Sequence, residues 1–144
     1  MCRGERTMSA RYKPLHIGMS VSNLEESIEW FEDILGFTFR EKSDVVPAGF
    51  RVAFLDNGDG FEVELFENVE TKPVPEERWL PDNDSKTQGT KHLAFEVDDL
   101  DKELAYFKTK GIEPVFGPAV CFGLYVAFIH GPDKILIEFI EWKR

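Results

Sequence analysis

Two histidines and two glutamates stand at matched places in this chain. His16 and His92 each open a strand-like stretch, and Glu64 and Glu138 each fall in the strand-like stretch that closes the same half of the sequence. Imidazole nitrogen and carboxylate oxygen are ligands for hard-to-borderline divalent cations, and an N₂O₂ protein set leaves two positions of an octahedron for water or substrate oxygens. Zn, Ni, Co, Mn or Fe as a divalent metal ion, one per site, would each suit such a set. A lone strand histidine is more often structural and a lone strand glutamate more often solvated. Recurrence of both types at matched registers is what turns the reading toward metal. The competing reading is a polar seam of Glu–His pairs between the two halves.

The matching rests on an internal repeat. Residues 15–31 (LHIGMSVSNLEESIEWF) lie over residues 91–107 (KHLAFEVDDLDKELAYF), 76 apart, so that His16 meets His92 and Phe31 meets Phe107. Residues 52–67 lie over 126–141, 74 apart, repeating Val-Ala-Phe and matching Asp59 with Asp133, Glu64 with Glu138 and Glu67 with Glu141. Each half reads as strand, helix, then strands. Alternation over 14–21 and 92–97 predicts opening strands. Ser22 or Asn23, and Asp99, are expected to cap helices that run to about Leu35 and Lys110, where Gly36 and Gly111 end them. Strands are expected near 37–45, 50–56 and 61–67, then 114–117, 124–130 and 135–141. Parity puts Ile17, Met19, Val21, Val63 and Leu65 on the helix side, with their counterparts in the second half. His16, His92, Glu64 and Glu138 fall on the opposite face, beside Gly18 and Ala94, which leave room there. A carboxylate on that face needs a partner. The expected fold is α+β, two tandem βαβββ modules forming a curved mixed sheet around a metal cavity. Its parts are an N-terminal tail over 1–13, module 1 over 14–67, a linker over 68–89 and module 2 over 90–144. The linker should lack regular sheet structure, with Trp79 and Leu80 pinning it to the surface or capping a cavity.

Composition limits the partners. The chain has 144 residues and a net charge of −10, which argues against nucleic acid and against an anionic membrane, since both need clustered Lys and Arg. A small anionic substrate needs only one or two local cations, and Arg40, Lys42, Arg51 and Lys91 are available. No apolar run approaches the roughly 20 residues that span a bilayer, and residues 1–14 lack the apolar core of a secretory signal. A cytoplasmic location is the expectation. Cys2 and Cys121 do not suggest a disulfide, Cys121 reads as a small loop residue, and His130 reads as a turn residue.

The stretches HIGMSVSNLEESIEWFEDILGF, KHLAFEVDDLDKELAYFKTKGI and GPDKILIEFIE resemble the openings and closing hairpin of the vicinal oxygen chelate superfamily. That is the glyoxalase/bleomycin resistance/dioxygenase group containing glyoxalase I and methylmalonyl-CoA epimerase, and the resemblance spans about residues 14–144. It implies metal ligands at His16, Glu64, His92 and Glu138 and an activity of the lactoylglutathione lyase or epimerase kind. In that activity a proton leaves the carbon next to a carbonyl through an enediolate, with Glu138 the first candidate base and Glu64 the second. Apolar Leu136 and Ile140 flank Glu138, while Glu62 gives Glu64 a more polar setting. It also implies a homodimer and a small-molecule substrate: a 2-oxo compound, a thiol conjugate or a CoA thioester. Ser20 stands where glyoxalase I usually has an arginine for glutathione, and Glu64 where the epimerases usually have glutamine. Ring-cleaving Fe(II) extradiol-type dioxygenases and fosfomycin-type thiol transferases resemble the chain at His16, His92 and Glu138 but use three protein ligands. Non-catalytic binders of the superfamily lack the ligands.

Overall fold

A computed structural model describes residues 10–45 and 47–142. Module 1 runs β1 (His16–Ser20), α1 (Leu24–Leu35), β2 (Thr38–Val45), β3 (Phe50–Asp56) and β4 (Glu62–Asn68). A 3₁₀ turn (Glu76–Arg78) and the short helix α2 (Pro81–Asp84) follow in the linker. Module 2 runs β5 (Leu93–Glu96), α3 (Leu100–Thr109), β6 (Phe116–Cys121), β7 (Leu124–His130) and β8 (Leu136–Trp142). The strands form two four-stranded sheets with the same order, β1-β4-β3-β2 and β5-β8-β7-β6. In each, the first strand lies parallel to the last and the remaining neighbours are antiparallel. This is the α+β, two-module architecture expected, built as two mixed sheets. Among the described residues no helix is long and apolar enough to cross a membrane.

The helices form where the sequence pattern puts them. Leu24, Ile28, Phe31 and Ile34 make the buried stripe of α1, and Leu100 and Phe107 that of α3. Asn23 caps α1 by accepting from the Glu26 N–H, Asp99 caps α3 by accepting from Lys102, and Gly36 closes α1 at φ 69°. Ser22 is not the cap. Its backbone N–H and hydroxyl both donate to Asp133, at 2.7 and 2.6 Å, which fastens the start of α1 to module 2. The matched residues Glu67 and Glu141 also serve the helices. Each accepts from the first N–H of its module's helix, Leu24 at 2.6 Å and Leu100 at 3.0 Å, a favourable place for a carboxylate because the helix N-terminus carries partial positive charge.

The helix-side positions Val63, Leu65, Ile137 and Phe139 are buried against these stripes, and Phe31 and Phe107 are buried among them. Burying one large side chain fully contributes about 1.5–3 kcal/mol. The two cores interlock. Leu93, Phe95 and Ile135 pack with the first, Trp30 and Ile34 with the second, and Phe37 meets Phe95 edge-to-face at 6.0 Å. The Tyr106 hydroxyl donates toward the Asp33 and Ile34 carbonyls at the end of α1, and Lys110 pairs with Asp33 at 2.8 Å.

β6 extends to Cys121, beyond the expected 114–117, because residues 121–124 close a two-residue hairpin and not a loop. Phe122 and Gly123 both take positive φ there, the conformation that such turns require.

Candidate metal centre

The register explains how each histidine reaches its glutamate. In the parallel pair β1–β4 the residue opposite Glu64 is Gly18, and in β5–β8 the residue opposite Glu138 is Ala94. With no bulk at those positions the carboxylates lean along the strand toward the imidazoles. His16 Nε2 lies 3.1 Å from Glu64 Oε2, and His92 Nε2 lies 2.8 Å from Glu138 Oε2. Side-chain exposure is 34% and 18% in the first pair and 30% and 15% in the second. The two carboxylates are therefore almost equally shielded, and what distinguishes them is their neighbours, the charged Glu62 and Arg40 by Glu64 against the apolar Leu136 and Ile140 by Glu138. Glu62 is taken up by Arg40 at 2.7 Å, and Phe66 stands close enough that a methyl on Gly18 would meet its ring at 3.1 Å.

A third member of each half-site went unassigned in the sequence. Phe54 is the cross-strand neighbour of Glu64 and Phe128 that of Glu138. Their rings meet His16 and His92 edge-on, at 6.0 Å and 4.9 Å. The repeated Val-Ala-Phe tripeptide was the signal, since its phenylalanine has the parity of the glutamates. Arg40 also reaches this face of module 1, lying over the Phe54 ring at 5.3 Å.

The spacing fits metal ligation. Two ligands at about 2.0–2.2 Å from one ion and at right angles to each other lie about 3 Å apart, which is the separation in both pairs. The pairs form within modules. The contacts across the seam use other residues (Ser22 with Asp133, Tyr106 and Lys110 with the end of α1), so the reading of a Glu–His seam between the halves does not describe them. Among the described residues no three His, Cys, Asp or Glu side chains come together as a metal cluster. The single chain thus presents two His–Glu pairs, each a candidate half-site.

The other candidates have structural employment. Arg51 bridges Glu25 and Glu67, at 2.6 and 2.8 Å. Its guanidinium holds the Glu25 carboxyl down at about 2, and it is also the main cause of the lowering at Glu67. Lys42 joins Glu25 at 3.4 Å. Lys91 and Arg78 close on Asp84 at 3.2 and 2.7 Å. Burial pushes that carboxyl up, and their hydrogen bonds more than reverse it. His130 Nε2 lies 2.7 Å from the Trp79 carbonyl, and the Trp79 indole N–H donates to the Val74 carbonyl, so both pin the linker. Leu80 is half exposed, and Cys121 carries a free thiol.

Fold and half-sites together define a module pair of the glyoxalase type. Residues 13–139 match the Glyoxalase/Bleomycin resistance protein/Dioxygenase superfamily, and the chain belongs to that family. It is 28% identical to a lactoylglutathione lyase of Neisseria meningitidis over 90% of each chain. It is 29% identical to that of Haemophilus influenzae over 90% of this chain and 92% of the other. The crystal structure of a glyoxalase family protein from Enterococcus faecalis superimposes with a TM-score of 0.76 at 21% identity, covering 91% of this chain and 98% of that one. Within the family the chain is glyoxalase I-like.

Proposed function

We propose that the protein is a metal-dependent lyase or isomerase of the lactoylglutathione lyase kind, moving a proton on the carbon next to a carbonyl in a small thiol-conjugate substrate. The observation that carries this reading is the duplicated half-site, one imidazole and one carboxylate at neighbouring-ligand spacing against a phenylalanine edge. A complete site then needs two copies, His16 and Glu64 from one meeting His92 and Glu138 from another, and a homodimer supplies two such sites. A divalent ion held there (Zn, Ni, Co, Mn or Fe) would polarise the substrate's oxygens and stabilise the negative charge left by the departing proton. His16 and His92, steadied edge-on by Phe54 and Phe128, hold and do not transfer protons. Glu138 takes the proton, since Leu136 and Ile140 share its face and offer no competing donor, and Glu64 is the second carboxylate. The lactoylglutathione lyases among the relatives support a glutathione-type conjugate of a 2-oxo aldehyde as substrate.

The test supplies the hemithioacetal of methylglyoxal and glutathione in deuterated water, to protein stripped with chelator and to protein reloaded with each metal. Reloading should restore turnover with solvent deuterium in the product. Oxygen consumption with a catechol under Fe²⁺, without hemithioacetal turnover, would replace this reading with ring cleavage.

A further inference from the structure

A cleft of about 270 Å³ opens between β1 and the linker, with Ile17, Met19 and Leu93 among its apolar lining and His92 on its wall. Its charged lining is Arg78, Lys91, Lys134 and Asp84, three cations and one carboxylate, or 3 − 1 = +2, in a chain whose net charge is −10. Asp84 is already shared by Arg78 and Lys91. Lys134 has a different position. Its ammonium lies over the Trp79 ring at 4.5 Å, and among the described residues no carboxylate pairs with it. The adjacent Asp133 is turned away, with both its oxygens on Ser22. Arg78 spends Nε on Asp84 and one terminal nitrogen on the Thr90 carbonyl, which leaves its other terminal nitrogen.

We infer that this cleft is an oxyanion subsite, taking a carboxylate or phosphate of the substrate's non-reacting portion between Lys134 and Arg78. An aromatic face is a resting place for an ammonium, and an oxyanion offers it a charge-assisted hydrogen bond, which is stronger. Apolar walls strengthen that attraction by excluding water, and a local positive field in an acidic protein selects where an anion settles. The subsite's part in turnover rests on the function proposed above. Its capacity to bind an oxyanion does not.

Lys134 takes φ +61°, a conformation that glycine and asparagine accept, so Lys134→Gly and Lys134→Asn both remove the charge while suiting the backbone. The probes are S-methylglutathione, which brings peptide carboxylates without a thiol, and adenosine 3′,5′-bisphosphate, which brings phosphates. Each is titrated into the chelator-stripped full chain at constant ionic strength, followed by calorimetry and by tryptophan emission, since the Trp79 ring lies under Lys134. One probe should saturate with an emission change, and both variants should weaken its binding about tenfold or more, while Lys102→Gln on α3 leaves it unchanged. Saturation by the peptide identifies a carboxylate source, and by the bisphosphate a nucleotide-tail source. If neither saturates, or if both variants bind as the parent does, the inference is overturned. Because the protein is metal-free throughout, failure of the metal chemistry would leave this result intact.

Discussion

At the scale of single residues, each imidazole is shared between a carboxylate and the edge of a phenylalanine. Strand parity alone placed His16, Glu64, His92 and Glu138 on one face, because a period of two leaves no other choice once the helix side is known. It did not reveal Phe54 and Phe128, since a phenylalanine in a strand reads equally well as core. Nor did it reveal that the two glutamates are matched in exposure, because the pairing of Glu62 with Arg40 joins residues 22 apart. Since burial does not distinguish them, substitution must. Glu138→Gln keeps an oxygen at the ligand position, so elemental analysis should find the bound metal retained. Deuterium exchange into substrate should fall on the order of 10²-fold. Unchanged exchange with the metal still present would remove Glu138 as the base.

At the scale of elements, the tie between β3, β4 and α1 is electrostatic as well as apolar. Arg51 on β3 joins Glu67 on β4 to Glu25 in the first turn of α1. Both carboxyls are held low, chiefly by hydrogen bonds from Arg51, with Glu25 at about 2 against an ordinary 4.5. A depressed carboxyl contributes stability that is fully present above its unfolded value and is lost as pH falls through its folded one. The parent should therefore lose urea resistance between pH 4.5 and about 2. Arg51→Gln should be less stable at neutral pH and flatter across that same interval. Equal slopes for parent and variant would show that the tie does not contribute to stability. The regular caps and apolar stripes made these helices legible from sequence, whereas Arg51 itself read only as one of four available cations.

At the scale of the whole molecule, the seam sets how the two modules meet. How the modules meet was not legible, because Ser22, Asp33 and Tyr106 each look like ordinary surface residues and Asp133 reads only as the repeat of Asp59. The function proposed above has each half-site completed by that of another copy. This gives a mixing test. His16→Ala and His92→Ala should each be inactive alone. A mixed pair places both lesions in one site and leaves the other with an intact His16 and an intact His92. Refolding the two variants together in equal amounts should recover about a quarter of parental activity, since half the pairs are mixed and each has one good site. No recovery would place the complete site within one chain.

The carboxylates that tie each closing strand to its helix carry one more consequence. Glu67 and Glu141 do the same task in the two halves, but Glu67 is held by Arg51, where the matching position in the second half is Tyr125, which is bonded to Asp101. The chain thus contains its own ancestor in two drafts. What both retain (the histidine, the glutamate, the phenylalanine and the helix-tying carboxylate) outlines the unit that was copied. Where they differ, at Gly18 and Ala94, Phe66 and Ile140, Arg51 and Tyr125, each copy has since been free to solve the same local problem in its own way.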